Sequence, residues 1–388
     1  GGSVGGLEAG TQFILDQQCP DGGWGWPVDD CSQSFNNLSG PIGMGLLSAW
    51  EQIGDPTYLD GAIAAGDFDL TYAYPNTEAR FGAFGPYFLW QLSLATGNPT
   101  WSDHTETGFF DELAAGTYGP DDWDTAGWIA AVEAARTGTW VNLRPWEFHN
   151  IIPAADALGT SGQRDLFVQG VLDGLDTLDN TDPANVFSDI IGLAGAIRGL
   201  AFAGETTFPA VNAPNHGLID GSTDLCQLVD ELLALQNPNG SWNWHSDLSG
   251  LGGPTVTDQD VQTTSYAILA LLEVEALGGC GSFEDEIAAA RSWIASMQDT
   301  DGGYFTYPGG GKNNEVQGEA VDALANSAEG RLVLAAPDCQ DDADPMAPGY
   351  QVEVELSMDM LTGPVTGFQA FITYDTAALT FESGLSSY

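Results

Sequence analysis

The sequence predicts a mainly helical protein, an (α/α)6 toroid of stacked helical hairpins followed by part of a β-sandwich. Three observations lead there. Three short segments are copies of one another: Gln18-Cys-Pro-Asp-Gly-Gly-Trp24-Gly-Trp26, Gln236-Asn-Pro-Asn-Gly-Ser-Trp242-Asn-Trp244 and Gln298-Asp-Thr-Asp-Gly-Gly-Tyr304-Phe-Thr-Tyr307. Between them runs a long series of segments with apolar residues at i, i+3, i+4 and i+7, the period of a helix with one buried face. After Leu334 the apolar period falls to two, the mark of a half-buried strand.

Each copied segment follows an amphipathic stretch and carries helix-stop chemistry, since Asp-Gly or Asn-Gly supplies the positive φ of a tight turn. Trp24 and Trp242 lie 218 positions apart and Trp242 and Tyr304 lie 62 apart. A unit of roughly 54 to 62 residues fits four times into the first gap and once into the second, and that is the length of two helices with their loops. The periodicity predicts helices near 6–18, 40–53, 57–66, 80–96, 102–115, 124–137, 145–158, 162–177, 186–203, 222–236, 258–277, 283–298 and 313–334. Pro and Gly clusters separate them, as at Gly54-Asp-Pro, Gly97-Asn-Pro, Gly119-Pro and Asn237-Pro. Ile190-Ile-Gly-Leu-Ala-Gly-Ala-Ile and Ser265-Tyr-Ala-Ile-Leu-Ala-Leu-Leu are apolar nearly all round and belong inside. The segment 283–298, with Glu284, Asp285, Glu286 and Arg291, has a charged face. Alternation of the two kinds makes two concentric rings. Thirteen helices give six hairpins and one extra helix, expected within 124–158.

The three Gln-x3-Gly-x-aromatic turns, together with Asp260-Val-Gln-Thr-Thr-Ser-Tyr-Ala-Ile-Leu-Ala-Leu271, resemble the α/α toroid of terpenoid cyclases and prenyltransferases. The turns resemble that family's QW repeats, over roughly residues 5–335. The resemblance implies that the first aromatic of each turn wedges neighbouring hairpins together. It also implies an Asp-x-Asp-Asp acid motif ahead of Thr-Ala. Matched on Thr264-Ser265, that motif begins at Asp260 but places Gln262 where the proton-donating Asp belongs and Thr263 at the last position. An amide cannot protonate an alkene or epoxide, so cyclisation is not expected. The zinc set of the prenyltransferases has no matching spacing either.

Beyond the toroid (1–335), residues 336–349 form an acidic, Pro-containing linker. Val352, Val354, Leu356 and Met358 then alternate with polar residues, and 367–384 supplies one or two further strands. Residues 350–388 are similar to the opening of a cohesin-like β-sandwich. A whole sandwich needs roughly 100 residues, so the chain reads as a fragment of a longer protein with partner domains beyond its C-terminus. Its start, Gly-Gly-Ser-Val-Gly-Gly, reads as a mature or clipped terminus rather than a signal peptide.

The chain has 55 acidic residues against 8 basic ones, a formal net charge of −47, and a single lysine, Lys312. Such a surface repels phosphate backbones and anionic membranes, which excludes nucleic acid as a partner. No apolar run is long enough to span a bilayer, so no membrane insertion is expected. At 43% hydrophobic and 11% aromatic the chain is too apolar for a disordered tail. Abundant aspartate with scarce lysine fits a halophilic or marine, extracellular setting in which salt screens self-repulsion. The cysteines are Cys19, Cys31, Cys226, Cys280 and Cys339, none in a CxxC pair. Cys19 and Cys31 bracket the first turn. Cys226 and Cys280 fall at the same end of an antiparallel hairpin, and two such bonds would agree with secretion.

Candidate catalytic residues are Glu147, His149 and Asp260. Arg144, Glu147 and His149 fall within six positions of a chain poor in basic residues, a composition suited to acid–base work at a cavity mouth. Candidate ligand-binding residues are Trp26, Trp244 and Tyr307 as sugar-stacking platforms, with Asp122, Trp123, Asp124, Arg144, Trp146, His245 and Asp258. Asp122 and Asp124 equally suit helix N-capping. Asp338, Asp341, Asp342 and Asp344 lack the Gly and terminal Glu of a calcium loop, so no metal and no cofactor is expected. Two functions follow. One is a secreted toroid module of a multidomain extracellular protein, binding a polysaccharide or protein ligand without cyclase activity. The other is a polysaccharide-active lyase or hydrolase using carboxylates at the toroid cavity.

Overall fold

The computed structural model describes residues 4–71, 84–111, 114, 150–160, 162–180, 189–246, 258–327, 332–335 and 355–358. The chain divides into two compact units, 1–328 and 329–388. The first contains α1 (Val4–Gln17), α2 (Asn36–Ile53), α3 (Pro56–Thr71), α4 (Phe84–Thr96) and α5 (Thr100–Thr105), the last continued by a π-helical turn, Glu106–Phe110. It continues with α6 (Ile151–Leu158), α7 (Gln163–Asp176), α8 (Asp189–Ala203), α9 (Leu225–Ala234), α10 (Val261–Leu277), α11 (Glu284–Ser296) and α12 (Asn314–Asn326).

The even-numbered helices form a closed inner ring. Each packs on the next in the order α2, α4, α6, α8, α10, α12, and α12 returns to α2. The odd-numbered helices, with the π-helical turn, lie outside it: α7 packs on α6 and α8, α9 on α8, and α11 on α10 and α12. These are six outer–inner hairpins, an α/α toroid. Of the stretch 124–158, where the extra helix is expected, residues 124–149 lie outside the described residues, and Ile151–Leu158 is the inner helix α6.

Composition decides which ring a helix joins. In α8 every residue from Asp189 to Ala201 is buried. In α11 only Ile287, Ala290, Trp293 and Ile294 are, one stripe of a helix whose other faces are charged. Asp224, Asp260 and Asn313 start α9, α10 and α12, their side chains accepting from the backbone N–H groups of Gln227, Thr263 and Glu315. Each such cap is worth about 1 kcal/mol.

The first and last inner helices meet backbone to backbone. A Cβ on Gly45 would stand 2.4 Å from the Gly318 carbonyl oxygen, and one on Gly318 would stand 2.5 Å from the Ile42 Cα. Only glycine allows that approach. Ser48 then donates to Asp322 at 2.6 Å across the same seam.

The three copied turns do the same structural work on the outer ring. Gln18 Nε2 donates to Gly22 O within its own turn and to Gly61 O of α3, at 2.8 and 2.9 Å. Gln236 bridges Gly240 O and Glu286 O of α11, at 3.0 and 2.9 Å. Gln298 bridges Gly302 O and Gly6 O of α1, at 2.8 and 2.6 Å, so the third turn closes the outer ring. The first aromatic of each turn is wholly enclosed. Trp24 donates to Ile14 O at 3.0 Å, Trp242 to Leu232 O at 2.7 Å, and Tyr304 to Gly6 O at 3.0 Å. Burying an aromatic of this size stabilises by roughly 1.5–3 kcal/mol.

Two disulfides brace the hairpins. Cys19 and Cys31 bond with Cα atoms 5.5 Å apart, and Cys226 and Cys280 with Cα atoms 5.2 Å apart. Cys339 lies outside the described residues.

The helix expected over 313–334 ends at Asn326, and Leu332–Ala335 is a strand, β1. It pairs antiparallel with β2 (Glu355–Met358), in the register Leu332↔Met358 to Ala335↔Glu355. The apolar run through Leu334 and Ala336 reads as helix by period, but Gly330 interrupts it and the residues beyond pair with a strand instead. Among the described residues this two-stranded sheet is all the second unit shows of the β-structure expected after 350.

Candidate active site at the toroid mouth

The copied turns lie where outer helices hand over to inner ones, at the N-terminal ends of α2, α10 and α12. Trp244 N–H donates to Asp258 O at 2.9 Å, and Val261 N–H to Thr306 O at 2.9 Å. Pro27 bridges Asn313, and Asn314 Nδ2 donates to Gly25 O at 2.8 Å. The second, third and first turns thus follow one another along a continuous rim. Their second aromatics turn outward: Trp26 is 37% and Tyr307 43% exposed, with Trp244 half-buried. Trp244 meets His245 edge-on at 4.2 Å, and His245 Nε2 lies 3.9 Å from Asp258 Oδ1.

Asp260 is placed beside them, but its carboxylate caps α10. Its Oδ2 accepts from both the N–H and the hydroxyl of Thr263, each at 2.7 Å. Burial pushes this carboxyl up and the Thr263 bonds partly oppose it. Glu147, His149, Asp122, Trp123, Asp124, Arg144 and Trp146 lie outside the described residues.

The structure adds a group that the sequence reading did not single out. Glu319, one turn inside the N-terminus of α12, is only 3% exposed. Its Oε1 accepts from Gln262 Nε2 of α10 at 3.0 Å, and the Tyr266 hydroxyl faces the same carboxyl. Enclosure, reinforced by the nearby charges of Glu315 and Asp260, holds Glu319 well above the ordinary carboxylate range. Its neutral form is therefore favoured over that of an exposed glutamate. The Tyr266 phenol is likewise pushed up, chiefly by burial and then by Glu319 and Glu315.

Glu315, Glu319 and Asp322 recur at i, i+4 and i+7 on α12, so they share a face. That face looks into the ring. Arg198 of α8 acts on Asp322 of α12 and on Tyr87 of α4, helices not adjacent to its own, so these side chains converge on the centre. Asp322 accepts from Ser48 at 2.6 Å and Asn326 at 2.8 Å, and burial raises its pKa despite Arg198. Arg198 lies over the Phe202 ring at 5.1 Å, and Tyr87 leans on the same ring at 5.8 Å. The centre is thus polar and acidic, with its carboxyls enclosed. Among the described residues no group of three or more His, Cys, Asp and Glu side chains is arranged to hold a metal.

A signal for Glu319 existed in the sequence: three acids on one face of an otherwise apolar helix, Asn314-Glu-Val-Gln-Gly-Glu-Ala-Val-Asp-Ala-Leu. Its partner Gln262, by contrast, was noticed only as a missing aspartate.

No family model matches the chain, and no curated protein matches it in sequence. Solved structures do share its fold. A protein described as a possible member of the GH105 family, from Klebsiella pneumoniae subsp. pneumoniae MGH 78578, superposes with a TM-score of 0.52 at 13% identity, covering 83% of this chain and 91% of that one. An unsaturated glucuronyl hydrolase specific for heparin gives 0.50 at 11% identity, covering 84% and 98%. A type II terpene cyclase from Scytonema gives 0.46 at 14% identity, covering 83% and 96%. At these identities the likeness is one of fold: the chain is an α/α toroid.

Proposed function

We propose that the toroid is a saccharide-active enzyme that cleaves a glycosidic link by acid–base chemistry at the mouth of the ring. The observation that carries this reading is Glu319: a buried acid whose surroundings favour its protonated form, beside further carboxyls. A group in that state suits proton donation to a departing sugar oxygen. Glu315, one helical turn away and partly open to solvent, is the matching carboxylate. Their i, i+4 spacing holds the two Cβ atoms about 5–6 Å apart, in keeping with two-carboxyl glycoside chemistry. Asp260, occupied as a cap, adds charge that disfavours ionisation of Glu319. Trp26, Trp244 and Tyr307 offer aromatic faces to sugar rings along the rim, beside Asp258 and His245. Glu147, His149, Asp122, Trp123, Asp124, Arg144 and Trp146 are candidates for the same chemistry from sequence alone.

Two neighbours in fold, the possible GH105-family member and the glucuronyl hydrolase, bear titles that point to saccharide chemistry, which supports the class of reaction. The charge of this chain points to a different substrate from heparin. A net charge of −47 repels polyanions, so the substrate is a neutral or cationic polysaccharide. Two disulfides, and the absence of any described helix long and apolar enough to cross a membrane, support an extracellular setting. In such a protein 336–349 is a linker and 350–388 belongs to an accessory β-sandwich.

The exposed rim aromatics favour one second reading, a glycan-binding module without turnover. Incubating the full chain with neutral and cationic polysaccharides, and assaying new reducing or unsaturated ends, separates the two. Cleavage supports the enzyme, and binding without cleavage supports the module.

A further inference from the structure

We propose that Gln262 is a positioning residue that decides which oxygen of Glu319 carries the proton. This rests on Glu319 being the proton donor. Its core is one contact, Gln262 Nε2 donating to Glu319 Oε1 at 3.0 Å. An amide N–H can only donate, so the oxygen it meets must be an acceptor. In a protonated carboxyl the acceptor is the carbonyl oxygen, which leaves the hydroxyl on Oε2. Oε2 is enclosed, and the Tyr266 hydroxyl is the group of α10 that faces this carboxyl beside the amide. The proton is thereby placed on Oε2, the oxygen that the amide does not engage.

The surroundings preserve that arrangement. Three titratable groups bear on Glu319: Glu315 of α12 itself, and Asp260 and Tyr266 of α10. Both carboxylates oppose its ionisation, while the hydrogen bonds of Gln262 and then Tyr266 favour it. The amide thus does two opposed things: it orients the acid and makes it somewhat stronger. A Leu at 262 would leave an equally buried acid with no fixed orientation. An Asp there, as in the cyclase motif, would be a third ionisable group competing for the same proton.

The proposal has a sign that can be tested without any substrate. If the amide donates, removing it takes a hydrogen bond from the ionised form, and the pKa of Glu319 must rise. If instead the amide oxygen accepts the Glu319 proton, removing it destabilises the neutral form, and the pKa must fall. The experiment is infrared titration of the full chain, with the Glu319 carbonyl band identified by its loss in Glu319→Gln. For Gln262→Met the expected results are an upward shift of about one pH unit in the Glu319 midpoint and a carbonyl band moved to the higher frequency of an unbonded C=O. No shift, or a downward one, overturns the proposal. Should Gln262→Met not fold, the wild-type band decides alone: a hydrogen-bonded carbonyl frequency upholds the assignment and a free one refutes it. Because none of this needs turnover, failure of the chain to cleave any polysaccharide would remove the enzymatic reading while leaving the placement of the proton intact. On a cleaved substrate, Gln262→Met should also move the alkaline limb of kcat/KM upward with the midpoint.

Discussion

Gly302→Ala probes how the outer ring is closed. Gly302 has φ of +93°, and a Cβ there would stand 2.4 Å from the Ala9 carbonyl oxygen of α1. The left-handed backbone alone costs an alanine about 1–2 kcal/mol. The contact adds an overpacking term, typically about 1–3 kcal/mol, because the obstacle is backbone and cannot swing aside. The sum is about 3 kcal/mol, a sizeable part of an ordinary folding stability of about 5–15 kcal/mol. In a domain this large that corresponds to a drop in Tm of about 5–10 °C. Gly309→Ala is the control: its φ is +80°, with nothing within 4 Å of the added Cβ. It should lose only the backbone term, about 1–2 kcal/mol. Thermal unfolding followed by circular dichroism measures both. Equal losses would refute the claim that the third turn presses on α1. Gly22 and Gly240 stand against Ala64 and Ala289 in the same way, so alanine at either should match Gly302→Ala rather than the control.

The Cys226–Cys280 bond closes a 54-residue separation and Cys19–Cys31 a 12-residue one. Loop entropy then predicts losses of about 4 and about 3 kcal/mol when the pairs are changed to serine, read from chemical denaturation under non-reducing conditions. Asp69 of α3 has both carboxyl oxygens enclosed, and burial pushes it up to about 8 against the opposing effect of the Ser39 hydroxyl. A raised carboxyl pKa means that the folded state keeps a proton the unfolded chain releases. Stability is then full below about pH 4 and declines as pH rises towards 8, and Asp69→Asn should flatten that decline. A Tm against pH curve of unchanged slope in the variant would contradict this. Changing Trp26 and Tyr307 together to alanine should weaken binding of a neutral polysaccharide about tenfold, roughly 1.4 kcal/mol, with little change in Tm because both side chains are exposed. Calorimetric titration checks the first part and thermal unfolding the second.

The toroid was legible because its determinants are local. A Gln, a positive-φ glycine and an aromatic sit within seven residues of one another, and their partners are fixed by the next helix along. Inner and outer helices were separable by how much of their circumference is apolar, as α8 and α11 show. The Cys226–Cys280 bond followed from hairpin geometry, and Cys19–Cys31 from the way the two cysteines bracket the first turn. Helix α12 was harder. Glu315, Glu319 and Asp322 drew no notice in the sequence, because period alone cannot distinguish a polar face turned to water from one turned to the centre of a ring. The contact that gives Glu319 its character is with Gln262, 57 residues away, and no local pattern encodes it. Asp260 drew notice as an acid ahead of a buried helix, a position that suits an N-cap equally well, and the cap is the contact its carboxylate makes.

The claim at the centre of this account is that Glu319 donates a proton to a sugar oxygen. Its most direct test compares the full chain with Glu319→Gln, using new chain ends released from neutral and cationic polysaccharides as the readout. The account predicts cleavage by the unaltered chain, reduced by about 10²-fold or more in the variant, the usual weight of a general acid, with polysaccharide affinity retained. Binding without cleavage by the unaltered chain, or equal rates in the two proteins, would contradict it.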